Sequence, residues 1–299
     1  MKVYKFGGAS VKDAAGVRNL LKVLRELEIS ETVVVISAMG KMTNAFESLV
    51  HAHFDERETS KTESIGPAVD AQLKSIKAFH LRIIEDLGFD ESDAIHREVQ
   101  QILDGVRVFL ANTDSPSYDF VYEQVVSSGE LISTRICSAF LEANDMENNW
   151  LDVRDCIKTN NDYRRARVDW NATCREINKR VDRNAITLTQ GFLGGDVEGN
   201  TTTLGREGSD YTAGIFAYCL EASEVSIFKD VPGVLNADPR EFERTQLLNR
   251  ISYKEAIEMA FFGASVIHPK TLQPLQRKEI PLRVRSFLHP LESGTYVRK

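Results

Sequence analysis

Cysteine is scarce in this chain of 299 residues, and the four present, Cys137, Cys156, Cys174 and Cys219, stand far apart with no CxxC pair. That spacing suggests neither a disulfide framework nor a zinc site. Long apolar runs are missing as well. No stretch approaches the roughly 20 residues that span a bilayer, and the opening MKVYKFGG holds no signal-peptide core. The expected compartment is the cytoplasm, with no membrane partner. An excess of basic charge is also lacking: the net charge is −7, which argues against broad binding to nucleic acid. Arg164, Arg165 and Arg167 form a local basic cluster, read as solvated surface. Low-complexity tracts, internal repeats and flexible linkers are not found, so 1–299 is expected to be a single domain with two approximate lobes, 1–180 and 181–299.

Three motifs are incomplete. Gly194 to Thr201, GGDVEGNT, nearly fits a P-loop but has Asn200 where the motif needs its lysine. Its turn residues read better as a hairpin with Glu198, Gly199 and Asn200 at the tip. His51 and His53 are two apart in a helical stretch and point in different directions, so no metal site is expected there. The HRD and DFG set of protein kinases is missing.

What remains is an ordinary globular composition, 42% hydrophobic and 27% charged. Strand-like runs at Val3 to Phe6, Thr32 to Ile36, Ala185 to Thr189 and Val225 to Phe228 alternate with helical patterns. A further strand is expected near Trp150 to Val153, and helices between Lys61 and Asn112, interrupted near Gly88 to Asp93, and over Phe120 to Glu142. This order predicts an α/β fold, a three-layer αβα sandwich on a mostly parallel sheet. Functional loops then lie at the carboxyl ends of the strands.

Two glycine loops stand out. In TTTLGREGSDYTA, Gly205 and Gly208 allow close backbone approach and Ser209 is placed to cap the following helix. Arg206 offers a fork for an oxyanion, and Asp210 can hold a cationic group. In MKVYKFGGAS, Lys5 ends a buried strand before Gly7 and Gly8, and Ser10 with Asp13 resembles a capping box. A lysine in that position is costly without an anion. Both loops read as phosphate or carboxylate sites at helix N-termini. Elsewhere, Thr43 and Asn44 follow Gly40 and can bind a small polar substrate. Glu130, at a glycine turn before a helix, suits an ammonium group, and SIFKDVPGVLNADPR supplies Asp230 and Arg240.

Taken in order, KFGGAS, ISAMGKMTN, SSGE, QGFLGG, TTTLGREGSDYTA, DVPGVLNADPR and FGASVIHPKT closely resemble the motif series of aspartate kinases within the amino acid kinase family. The resemblance implies the amino acid kinase fold and transfer of the ATP γ-phosphoryl group to the side-chain carboxylate of L-aspartate. It makes Lys5 and Asp210 catalytic, and Thr43, Glu130, Arg206 and Ser209 aspartate-binding. It assigns the nucleotide to Lys5, Gly7, Gly8, Lys229, Asp230, Leu235, Arg240, Ser265 and Val266. The first lobe would then hold aspartate and the second the nucleotide. No metal ligand is assigned, because magnesium is expected to arrive with ATP. Family members often dimerise, which leaves a homodimer open.

Three positions depart from the family pattern. Ala9 stands for a common threonine, Glu207 for a glycine, and Ser265 for a lysine that contacts ATP in many members. Lys270 or Lys229 is expected to compensate for the last. Many members continue into C-terminal ACT regulatory domains, whereas here PLRVRSFLHPLESGTYV is followed by Arg298 and Lys299. A kinase unresponsive to lysine or threonine is the expectation. A kinase for glutamate or N-acetylglutamate, or a catalytically impaired nucleotide-binding member, are the alternatives.

Overall fold

A computed structural model describes residues 1–59, 65–238, 241–263 and 267–299. β1 (Lys2–Phe6), α1 (Ala14–Glu26) and β2 (Thr32–Ile36) come first, followed by α2 (Met42–Thr59), α3 (Pro67–Asp86), α4 (Ala94–Asn112) and α5 (Tyr118–Glu142). A short β3 (Asn149–Leu151), a 3-10 turn (Val153–Asp155) and α6 (Trp170–Arg180) lead into β4 (Thr187–Gln190). Next are the hairpin strands β5 (Leu193–Gly195) and β6 (Thr201–Thr203), then α7 (Gly208–Leu220) and β7 (Val225–Lys229). After them come β8 (Arg250–Ser252), α8 (Tyr253–Phe261), α9 (Pro269–Arg277), β9 (Leu282–Ser286) and β10 (Thr295–Arg298).

Eight strands form one sheet in the order β3-β4-β2-β1-β7-β9-β10-β8. Every neighbouring pair is parallel except β9 with β10. The two lobes expected on either side of residue 180 share this sheet, since β1 lies between β2 and β7. Alternation along the strands divides the core into two layers. Tyr4, Phe6, Val34 and Ile36 join the apolar faces of α1 to α5, while Val3, Val33, Val35, Val225 and Ile227 join those of α6 to α9. The same period of two sends Lys5 to the side of Val3, and Lys229 to the side of Val225 and Ile227. Both lysines therefore emerge on the face covered by α7. That helix is apolar around nearly its whole circumference, as its position between the sheet, α6 and α9 demands.

Local departures from the sequence reading have local causes. The strand expected from Ala185 starts at Thr187, because Asp182 to Ala185 form a turn in which the Asp182 side chain accepts the Asn184 N–H at 2.9 Å. The strand near Trp150 stops at Leu151, where Asp152 caps the 3-10 turn. The capping box assigned to Ser10 is corrected: Asp13 is the N-cap of α1 and accepts the Gly16 N–H at 2.8 Å. GGDVEGNT is a hairpin, its turn held by Asp196 Oδ1 accepting the Glu198 and Asn200 N–H groups at 2.9 and 2.8 Å. The cysteine reading is also corrected. Cys174 and Cys219, 45 residues apart, are joined in a disulfide where α6 packs on α7, a proximity that spacing alone does not carry. No helix among the described residues is long and apolar enough to cross a membrane.

Two loops at the carboxyl ends of β1 and β2 touch backbone to backbone. Gly40 N–H donates to the Gly8 carbonyl at 3.0 Å, and a Cβ on Gly8 would stand 2.6 Å from the Ala38 carbonyl oxygen and 3.0 Å from that of Gly40. Gly8→Ala is expected to destabilise the protein by about 1–3 kcal/mol, the ordinary cost of overpacking. Thermal denaturation would detect this as a melting temperature several degrees lower, and an unchanged value would mean the two loops are not in contact.

Candidate active site

The parity of β1 and β7 brings two ammonium groups onto one carboxylate. Lys5 Nζ lies 2.6 Å from Asp210 Oδ1, and Lys229 Nζ lies 3.6 Å from Oδ2. Asp210 is buried and in the first turn of α7. Burial by itself would raise its carboxyl, but Lys5 and then Lys229 outweigh that and hold it below the usual carboxylate range. Two ammonium groups thus meet across one carboxylate at this end of the cleft. The β1 to α1 turn folds over it so closely that a Cβ on Gly7 would sit 3.4 Å from Lys5 Nζ.

The assignment of Ser209 as helix cap is corrected by the backbone. α7 begins at Gly208, and its N-cap position is Glu207, left-handed at φ 52 and ψ 32, with no side-chain cap bond. Ser209 instead lies in the first turn, packed so tightly on Gly191 that a Cβ there would be 2.4 Å from Ser209 Cβ. Gly205, at φ +77, and Glu207 give the loop its two left-handed turns. The opening turn of α7 thus meets a cleft of about 560 Å³ without a side chain closing it, the arrangement that suits an anion. Arg206, exposed on the same loop, lines the cleft.

The opposite wall comes from α2 and α5. Thr43 lines it from the first turn of α2. Glu130 is corrected in position: it lies within the unbroken helix α5, not at a turn before one. Gly129 serves packing, since a Cβ there would approach Ala38 Cβ to 3.2 Å and Phe46 to 3.4 Å. Glu130 is 3% exposed, lines the cleft, and has one carboxylate oxygen with no hydrogen-bond partner. Burial pushes its carboxyl up to about 8, offset in part by bonds from backbone N–H groups at Glu130 and Ala38. Such a group has a strong demand for a cation.

Of the other expected residues, Lys270, Asp230 and Leu235 do not line this cleft. Lys270, at the start of α9, donates from Nζ to the Leu204 carbonyl at 2.9 Å and stands 4.8 Å from the centre of the Tyr211 ring. It braces the loop before Gly205 and does not line the cleft, whereas Lys229 does. Asp230 is exposed just beyond β7, and Leu235 pairs with Leu247 in an isolated bridge. Arg240, Ser265 and Val266 lie outside the described residues. The histidine pair does not converge: His51 bonds the Tyr118 hydroxyl at 3.0 Å, while His53 is buried. Among the described residues no group of three or more His, Cys, Asp or Glu side chains is arranged to hold a metal ion.

Three residues of the site have no sequence signal pointing to them. Tyr122 and Arg164 line the cleft, and Arg164 separates from the basic cluster that reads as solvated surface. Behind them Glu123 is fully buried, and burial pushes its carboxyl up to about 7 despite bonds from Thr203 and the Arg164 backbone.

Comparison with known proteins gives a consistent set of likenesses. The model of the amino acid kinase family matches residues 1–286. Lysine-sensitive aspartokinase 3 of Escherichia coli is 34% identical over 300 residues, covering 99% of this chain and 63% of that protein. Chloroplastic aspartokinase 1 of Arabidopsis thaliana is 33% identical, with 99% of this chain and 52% of that protein covered. The crystal structure of E. coli aspartokinase III in complex with aspartate and ADP superposes with a TM-score of 0.88 at 33% identity, over 100% of this chain and 64% of the other. The chain thus spans less than two thirds of the length of these relatives.

The raised Glu130 carboxyl sets a pH dependence with a definite sign. Folded Glu130 keeps its proton up to about pH 8, whereas the unfolded group loses it near 4.5. Its contribution to stability is complete below pH 4.5 and is lost as pH climbs towards 8. Without ligand, Glu130→Gln is expected to melt above the wild type at pH 8 and beyond, with the gap closing towards pH 5. A gap independent of pH would show that this carboxyl does not titrate where its burial requires.

Proposed function

From membership of the amino acid kinase family, to which this chain belongs, we propose that the protein is an aspartate kinase, moving the γ-phosphoryl group of ATP to the side-chain carboxylate of L-aspartate. The observation that carries this reading is one cleft with two chemically distinct ends. At the sheet end are Lys5 and Lys229, on either side of Asp210, and the start of α7, a pair of ammonium groups suited to phosphate oxygens. At the other is a buried carboxylate with an unpartnered oxygen, Glu130, and on the rim Arg206. A zwitterion with an extra carboxylate satisfies both of the latter groups.

In this reading one oxygen of the aspartate side chain attacks the γ-phosphorus, the bond from that phosphorus to the bridging oxygen breaks, and ADP leaves with the electron pair. Little covalent help is needed from the protein. Lys5 and Lys229 neutralise charge on the oxygens being transferred, and Asp210 fixes where both ammonium groups point. Glu130 receives the amino group of aspartate, while Arg206 and Ser209 hold a carboxylate, with Thr43 beside them. Magnesium would come bound to ATP and would add charge neutralisation, since the phosphates supply much of its oxygen shell. Compensation for Ser265 falls to Lys229, which lines the cleft, whereas Lys270 does not.

Glu207 adopts a left-handed backbone that glycine accepts without cost, and one of its carboxylate oxygens is buried without a partner.

Hydroxylamine trapping is the direct test. β-Aspartyl hydroxamate is the expected product from aspartate and ATP. A hydroxamate from glutamate or N-acetylglutamate alone would move the assignment to another acid, and ATP binding with no hydroxamate would make this an impaired member. Lys5→Met is expected to lower kcat by about 10²- to 10³-fold, the usual effect of removing one charge-stabilising donor.

A further inference from the structure

Arg164 belongs to a triplet whose sequence context marks it as surface, yet it lines the cleft. Its backbone is left-handed at φ 63, a conformation that a long side chain keeps when its surroundings impose it. The surroundings are identifiable. Glu123 Oε1, fully buried on α5, accepts the Arg164 N–H together with the Thr203 N–H at 2.9 Å and the Thr203 hydroxyl at 2.6 Å. One oxygen therefore ties three pieces of chain: the helix that carries Glu130, the end of β6 that leads into the Arg206 loop, and the Arg164 turn. The turn also abuts that loop, because a Cβ on Gly205 would lie 3.2 Å from the Arg164 carbonyl oxygen.

The guanidinium itself is placed but not saturated. Its carbon lies 4.2 Å from the centre of the Tyr122 ring, and Tyr122 lines the cleft alongside Glu130. It donates one long hydrogen bond to Glu47 at 3.5 Å, and Asp119 lies at 3.6 Å. Arginines settled in full ion pairs elsewhere in this protein lie much closer, Arg135 to Glu98 at 2.5 Å and Arg107 to Asp70 at 2.6 Å. A planar fork stacked on an aromatic face, with loosely held N–H groups and 41% of its side chain exposed, is ready to accept a carboxylate.

We propose that Arg164 is a second carboxylate-binding side chain of the acceptor pocket, acting with Arg206 on the non-reacting carboxylate of the substrate, and that Glu123 is the positioning residue that aims it. This rests on the aspartate kinase reading. It gives the acceptor, an amino acid with two carboxylates, a guanidinium beside the Glu130 that meets its ammonium group. Glu123 touches no ligand and acts on the substrate through the Arg164 turn.

Steady-state kinetics with aspartate and ATP varied separately test this. Arg164→Gly, which suits the left-handed backbone and keeps the N–H bond to Glu123, is expected to raise KM for aspartate by about tenfold to a hundredfold, the loss of a charged hydrogen bond. KM for ATP should stay within about twofold, since the phosphate end is untouched. Arg164→Lys, with the charge but no fork, should fall between glycine and wild type. Glu123→Ala should raise KM for aspartate in the same way, Glu123→Gln should restore it because an amide oxygen can accept the same three bonds, and Glu123→Ala with Arg164→Gly should be no worse than Arg164→Gly alone. An unchanged aspartate KM in Arg164→Gly, with active wild type, would sink this inference and leave the functional reading standing. Equal rises in KM for ATP and aspartate would also overturn it, as would additive effects in the double variant for the role of Glu123. A wild type that turns over no aspartate would sink both.

Discussion

The ion pair between Lys5 and Asp210 is the constraint around which this molecule is organised. A lysine ending an interior strand of a parallel sheet is tolerable when it meets an anion, and the period of two along β1 leaves α7 as the element that can supply one. The same arithmetic on β7 delivers Lys229 to the other oxygen. Strand register, the apolar circumference of α7 and its open first turn all follow from keeping that carboxylate buried between two cations. The paired ammonium groups are then a product of the fold itself, placed by strand register.

The far end of the cleft works by the opposite device. Where Asp210 has two partners, Glu130 has an orphan oxygen and a carboxyl that burial keeps near neutrality. One group is stabilised as an anion and the other is frustrated as one. A ligand that carries both signs can relieve the second without displacing the first. This polarity gives the cleft a direction, with paired ammonium groups at the strand ends and an unsatisfied carboxyl against α5.

Much of this was legible in the residues themselves. Alternating apolar runs and helical spacing mark the αβα layering, and glycines flanking Lys5 and Arg206 mark the two loops. Backbone detail was less accessible. Ser209 looks like a cap because it precedes an apolar helix, but Glu207 turns left-handed and starts α7 a residue before it. Glu130 follows a glycine that reads as a turn, while that glycine serves to let α5 press on Ala38. Arg164 and Glu123 could not be read at all: which member of a basic cluster lines a cleft, and which buried glutamate anchors it, depends on contacts between segments far apart in the chain. The union of Cys174 with Cys219 is hidden for the same reason.

Glycine at Gly8 and Gly129 has a mechanical consequence. The Ala38 to Gly40 segment is pressed between the β1 to α1 turn on one side and α5 on the other, with no side chain as a spacer on either face. It has no slack, so this half of the cleft behaves as a fixed jaw.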